Sequence, residues 1–290
     1  MSKSSVIAIL VALSVLFATV LYSFNLYDEL YDAFDLDPDA DENFVVFLDV
    51  GQADCTLVHS DGEYILIDTG ANRDEGNRIK QKLLSYGVRK IKTVILSHDH
   101  TDHAGGLYSI ISEFSVGSII CPNGALRGDD DFTKDILKIV DSKNVPLVSA
   151  VVRDNITLES GNIEFLWLDE RIKENDSCLV LMLTINGKKF LFGGDISKSV
   201  EKRIVESGKD IKCDVLKASH HGSKNSNSEL FLKKANPKYC VVMCGKNNIY
   251  KLPSEEFLER IKKFNIKLYS TAENGDVVFD ITNNKISTKK

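Results

Sequence analysis

The stretch LSHDHTDHAGGL, from Leu96 to Leu107, packs three histidines and two aspartates into the six positions 98–103. The chain of 290 residues holds only six histidines in all, so half of them stand in one loop. KTVILS, just before it, reads as a buried strand. HAGGLYSIISEF, just after, reads as the opening of a helix. At an extended strand end, residues two apart share a side, which sets His98 beside His100. Asp102 and His103 lie past the turn, where they can face a second position. Imidazole nitrogen and carboxylate oxygen suit zinc and related ions. H-x-H-x-D-H therefore has the donor set for two cations a few ångströms apart.

Working outward, FVVFLDV (44–50), CTLVHS (55–60) and YILIDTG (64–70) read as short strands, followed by a helix over GNRIKQKLLSYG (76–87). VGSIICP continues as strand and DFTKDILKIVDSKN as helix. The second half repeats the plan. DNITLESGNIEFLWLD, SCLVLMLTING and KKFLFGGD are strands, and SKSVEKRIVESG is a helix. CDVLKASHHGSKNS is a strand entering a loop, and SELFLKKA, KYCVVMCG and SEEFLERIKKFN alternate helix, strand, helix. KLYSTAENGDVVFDIT closes as a strand or hairpin. Consecutive strands, then strand–helix alternation, occur in each half. This predicts two sheets face to face with helices outside, a four-layer αββα sandwich over residues 44–290.

One loop cannot complete two metal sites, so the missing ligands are expected at other strand ends. Asp195 ends FLFGGD, placed to bridge both ions. His220 and His221 end another strand. On alternation Leu216, Ala218 and His220 share a face, which favours His220 as ligand and His221 as a neighbour facing the substrate. Asp68, ending the third strand, is expected to hydrogen-bond and orient the histidine loop rather than bind metal. His59 reads as an ordinary strand histidine. Cys240 and Cys244 have metal-pair spacing but read better as buried strand cysteines. Six cysteines in all permit disulfides outside the cell.

The N-terminus carries VIAILVALSVLFATVLYSF, Val6–Phe24, nineteen uncharged residues. As a helix it would span about 28 Å, close to the hydrocarbon thickness of a bilayer. Lys3 precedes it and acids follow, which puts the N-terminus in the cytoplasm and the rest outside. An uncleaved transmembrane helix over residues 1–25 is favoured, with a cleaved signal peptide, and hence secretion, as the rival. Leu26, Leu30 and Phe34 form a helical stripe, and the acidic DLDPDADEN reads as a tether, together filling residues 26–43. The net charge of −6 argues against a protein that coats nucleic acid generally.

HDHTDH, IDTG, GGD and SHHGS, in this order, resemble the metallo-β-lactamase-fold hydrolases. FLDVGQADC, ENDSCLVL, FLFGGD and LKASHHGSKNS resemble more narrowly the metallo-hydrolase domain of ComEC-type DNA-uptake proteins, over about Phe44 to Thr282. The resemblance implies an αββα sandwich with a metal site at one edge between the sheets. It implies His98 and His100 on the first metal, Asp102, His103 and His220 on the second, and Asp195 bridging. With no multi-span channel here, a stand-alone, singly anchored relative is expected. Two departures matter. No third histidine for the first metal lies between His103 and His220; Asn175, in ENDS, stands there instead. An amide oxygen is a poorer zinc ligand than imidazole, so the first site is expected to be the weaker, with zinc the leading ion and manganese the other choice. In NIYKLPS, Leu252 stands where the ComEC pattern often has a histidine before proline.

Two bound cations would lower the pKa of a shared water towards neutrality. Asp102 or His221 would then pass a proton to the leaving group. Ser223 and Lys224 offer donors suited to phosphate oxygens. The leading expectation is a phosphodiesterase or nuclease outside the cytoplasm, linked to DNA processing or uptake. A hydrolase of cell-wall phosphoesters or other small esters is the second, and a non-catalytic metal-binding module the third.

Overall fold

The computed structural model describes residues 3–23, 42–71, 73–126, 128, 130–169 and 177–289, and the side chains of all these but 3, 4, 8, 18, 20–23 and 73–77. The expected juxtamembrane stripe and acidic tether, and Asn175, lie outside the described residues. The chain divides into two units, Met1–Asp39 and Ala40–Lys290.

The first unit contains the helix α1, Lys3–Ser23, 21 residues long. Its side chains are described only between Ser5 and Thr19, and among the described residues no helix is long and apolar enough to cross a membrane. The span expected over Val6–Phe24 rests on the sequence.

The second unit holds two large sheets. In the first, β1 (Phe44–Phe47), β2 (Thr56–Ser60) and β3 (Glu63–Ile67) run antiparallel. β5 (Thr93–Ile95), β7 (Ile119–Cys121) and β8 (Leu147–Ser149) then join in parallel. The second sheet repeats this. β9 (Asn155–Leu158), β10 (Gly161–Trp167), β11 (Val180–Ile185) and β12 (Lys188–Phe192) are antiparallel. β13 (Val215–Lys217), β14 (Tyr239–Val242) and β15 (Lys267–Ser270) follow in parallel. The short pair β4 (Lys90–Ile91) and β6 (Ser115–Val116) stands apart. The C-terminal hairpin of β16 (Asp276–Asp280) and β17 (Lys285–Lys289) leaves the second sheet and pairs β16 with β1.

Side-chain alternation along the strands builds the layers. Val45 and Phe47, Ile65 and Ile67, Phe190 and Phe192 all enter one core between the sheets. Val46, Leu66 and their neighbours pack outward beneath Ile79, Leu83, Leu107 and Ile110 of the helices on that side. Leu191, Leu216 and Ala218 pack outward beneath Val200, Ile204, Phe231 and Phe257 on the other. Three apolar layers separate four structural ones, as the strand pattern predicts. β8 and β17 are strands that the sequence reading passes over: every residue of β8 is exposed and β17 is mostly so, so neither shows an apolar rhythm.

Close packing explains one glycine of the opening motif. A Cβ on Gly106 would stand 2.0 Å from the Thr69 carbonyl oxygen, so only glycine lets the histidine loop lie against the end of β3. A buried carboxylate holds a different loop, the one that follows β13. Glu201, within the helix Lys198–Glu206, is wholly buried and accepts the backbone N–H groups of Asn227 and of Ser228, the latter at 2.7 Å. Arg260 donates to the Asn227 and Ser226 carbonyls at 2.9 Å. Glu201→Ala strips two N–H groups of their acceptors and is expected to cost about 3 kcal/mol of stability, measured by urea denaturation followed by circular dichroism.

Candidate metal centre

At one edge of the sandwich the strand ends of both sheets converge. β5 runs into Ser97 and His98, and a short helix, Thr101–Ala104, carries Asp102 and His103. β3 ends at Asp68, whose backbone takes the left-handed region at φ 59°, uncommon for a residue other than glycine. The turn is fixed by Asp68 N–H donating to the Ile95 carbonyl at 2.8 Å and Thr69 N–H to the His103 carbonyl at 2.6 Å. The Asp68 carboxylate then accepts from Ser97 N–H at 2.7 Å and from His103 Nδ1 at 2.8 Å. This fixes the tautomer and turns His103 Nε2 towards Asp195, 3.3 Å away. Asp68 thus bonds to both ends of the histidine loop.

His98 packs against both loop partners, its ring centroid 4.5 Å from His100, edge-on, and 4.2 Å from His103, tilted. His98 Nε2, His103 Nε2 and Asp195 Oδ1 are buried with no hydrogen-bond partner. Buried polar atoms normally find one. Buried atoms with metal-ligand chemistry that converge without hydrogen bonds are what a cation site requires, so the residues fit the group. Asp102, His103, Asp195 and His221 each offer a ligand atom, all within 4.8 Å of one another.

The alternation argument for His220 does not carry to its end. β13 stops at Lys217, and Ser219–Gly222 form a tight turn in which His220 and His221 both take left-handed backbone, φ 52° and 50°. Leu216 and Ala218 face the outer helical layer, away from the site. The ring that enters the cluster is that of His221. It is 2 % exposed, its Nδ1 donates to the Met243 carbonyl at 2.8 Å and its Nε2 lies 3.1 Å from Asp102 Oδ2. An Nδ1–H held by a backbone carbonyl is how a ligand histidine is commonly oriented. His220 is half-buried, its Nε2 3.7 Å from Asp195 Oδ2.

Two buried residues behind the cluster are not readable as site residues from the sequence motifs. Asp54, in the loop after β1, and Lys217, at the end of β13, are each 3 % exposed and form an ion pair. Lys217 reads from the sequence as a solvated charge; the structure buries it, because it shares the inward face of β13 with Val215. A cleft of about 590 Å³ opens over the cluster, lined by residues including His100, Asp102, Asp195, His220, His221, Tyr250 and Leu252. Leu252 thus gives it an apolar wall. Ser223 and Lys224 do not line it. Ser223 is largely buried and its Oγ accepts Asn225 N–H at 3.2 Å. The six cysteines are buried and form no disulfide. Cys240 and Cys244 join no ligand cluster among the described residues. His59 packs between Phe44 and Tyr64.

Charge in the cluster is strongly coupled. Burial alone would keep His221 neutral, but the Asp54 carboxylate and the Asp102 hydrogen bond outweigh it and raise its pKa from 6.5 to about 9. Burial is likewise outweighed at His103 by Asp195, Asp68 and Asp54, which hold it well above the usual histidine range. Burial and the neighbouring His103 push His98 well below it. Without metal, His103 and His221 therefore carry protons at neutral pH. A metal must displace them, so its apparent affinity rises with pH, by at least about tenfold per unit, up to about pH 9. The sign for the metal-free fold is opposite. With the folded pKa raised above 6.5, the stabilisation is full below pH 6.5 and is lost as pH rises through about 9. Zinc titrations and metal-free melting curves at pH 6, 7, 8 and 9, with about one unit between points, check both slopes.

The profile of the metallo-beta-lactamase superfamily matches residues 48–246. The chain is 28 % identical over 264 residues to ComE operon protein 3 of Bacillus subtilis, covering 83 % of this chain and 33 % of that one. It is 30 % identical over 244 residues to competence protein ComA of Neisseria gonorrhoeae, covering 83 % and 32 %. It thus spans about a third of the length of the curated relatives it matches. Among solved structures, the metallo-beta-lactamase fold protein YhfI of Bacillus subtilis superposes with a TM-score of 0.54 at 15 % identity, covering 79 % of this chain and 96 % of that one. CmlA, a diiron beta-hydroxylase of Streptomyces venezuelae, gives 0.56 at 13 % identity, covering 88 % and 59 %. These likenesses show the fold alone.

Proposed function

The chain belongs to the metallo-beta-lactamase superfamily, and from that premise we propose that it is a metal-dependent hydrolase of phosphodiester bonds, with DNA as its substrate. The observation that carries the reading is the set of buried ligand atoms on His98, His103 and Asp195 that make no hydrogen bond. The two competence-related relatives support DNA over other phosphodiesters.

In this reading His98 and His100 would hold one cation, Asp102, His103 and His221 would hold the second, and Asp195 would serve both. When bound, two divalent cations supply Lewis acidity and an acidified water; zinc leads and manganese is the second choice. The chain's own residues do the rest. Asp68 and the Met243 carbonyl keep both Nε2 atoms forward. His220, half-buried at the cleft, contacts the substrate. Asp102, its side chain 34 % exposed to the cleft and hydrogen-bonded to His221, is placed to take up and return the proton that the leaving oxygen needs. The helix Lys3–Ser23, apolar and uncharged from Val6 onward, anchors the chain in a membrane, with the hydrolase unit on the outer side. Protease accessibility of the unit in intact cells tests that orientation.

The activity is tested on the purified full chain, metal-stripped and reloaded with zinc or manganese, against bis-p-nitrophenyl phosphate and linear DNA. Metal-restored turnover of both is the expected result. Turnover of the small ester alone moves the assignment to a small phosphoester, such as a cell-wall decoration. No turnover with two metals bound leaves a metal-binding module.

A further inference from the structure

Lys217 is 3 % exposed, which is costly for an ammonium unless it is paired. Its neighbours on the inward side of the second sheet, Val215, Val241 and Phe192, are apolar, so nothing on its own sheet calls for a charge at 217. The charge has a specific partner. Asp54 reaches it from the first sheet's β1–β2 loop and pairs with it across the gap between the sheets. The same carboxylate stands directly behind both rings of the second metal position. Asp54 Oδ1 is 3.4 Å from His221 Nδ1, and Asp54 Oδ2 is 3.6 Å from His103 Nδ1.

Each of those Nδ1 atoms already has a nearer acceptor, Met243 O and Asp68 Oδ2, both at 2.8 Å. Asp54 is therefore a competitor for the two imidazoles as well as a support. With Asp68 and His103 it also forms a second cluster with ligand atoms within 4.8 Å of one another, the composition of a cation site at the back of the centre. We propose that Lys217 is a positioning residue that serves as the built-in cation of this rear cluster. Its ammonium commits the Asp54 carboxylate, so that Asp54 neither draws the ligand rings round nor binds metal itself. Metal is thereby confined to the front, where His103 Nε2, His221 Nε2 and Asp195 converge. The Asp54 backbone serves the same end: its N–H donates to the Asp102 carbonyl at 3.0 Å, and its carbonyl accepts Gly70 N–H at 2.7 Å.

This inference rests on the metal-site reading and not on the identity of the substrate. The test is a zinc titration of the full chain by equilibrium dialysis, resolving the two binding steps, beside metal-free melting curves. Lys217→Met is expected to weaken the second-site step about 10- to 100-fold, the usual size for a residue supporting a ligand, with the first step unchanged. Lys217→Arg, which keeps the charge, is expected to restore most of that loss. Asp54→Asn/Lys217→Met, with no unpaired charge, is expected to bind the second zinc more tightly than Lys217→Met alone. It also stands in for the single variant, compared with Asp54→Asn, if Lys217→Met does not fold. A purely structural lysine would lower the melting temperature and leave the two steps in their wild-type ratio. That result, or wild-type affinities in Lys217→Met, overturns the proposal. A wild-type chain that binds no zinc overturns the metal-site reading with it.

Discussion

Asp195→Ala is expected to bind fewer than two zinc ions per chain and to lose the proposed phosphodiester turnover by about 10³-fold or more. The size follows from what the carboxylate is asked to do. Lewis-acid stabilisation is worth several kcal/mol, and each ~1.4 kcal/mol is a factor of ten in rate. Asp195 is 2 % exposed, with one oxygen 3.3 Å from His103 Nε2 and the other 3.7 Å from His220 Nε2. Burial works to protonate it, but His103 and His221 outweigh this and keep the carboxyl well below the usual range. It is thus ready as an anion at every pH of interest. Metal analysis of the purified variant beside a bis-p-nitrophenyl phosphate assay checks both halves. Full metal content with full turnover would mean that Asp195 is not the bridge.

The second large effect separates two adjacent histidines. His221→Ala is expected to lose the second metal and to fall in activity by about 10²- to 10³-fold. His220→Ala keeps both metals and shows its defect as a raised KM. The grounds are burial and orientation. His221 is enclosed and fixed by the Met243 carbonyl, whereas His220 is half-buried and burial lowers its pKa, leaving a neutral ring at the cleft. Metal content of the two variants at neutral pH decides it. If His220→Ala is the one that loses metal, the assignment is reversed.

This pair also shows what could be read from the residues and what could not. The cluster HDHTDH and the carboxylate after FLFGG announce themselves by donor type and spacing. The layered fold is legible because β1, β3 and β12 are short continuous apolar runs, buried at successive positions as strands covered on both faces are. The choice between His220 and His221 depends on where β13 stops, and a three-residue strand gives alternation too little length to be extrapolated. Lys217 was hidden for a related reason. Parity puts it on the inward face beside Val215, but a lysine near a loop reads as solvated until its partner is known. That partner, Asp54, lies in the other half of the chain. Asp68, by contrast, was readable because its strand delivers it directly beneath the histidine loop.

The crossing of the C-terminal hairpin has a consequence for how the protein is made. β1 is bordered by β2 on one side and by β16 on the other, so a nascent chain emerges with the first sheet open along an edge whose partner is synthesised only after every strand of the second sheet. Loop closure between such distant segments is slow, and an open, apolar edge is a hazard while it lasts. The ligands on β5 and its loop are therefore translated long before the sheet beneath them can close. Ribosome-stalled chains ending before Asp276 would be expected to remain sensitive to protease, and chains extended through Lys289 to become resistant in one step.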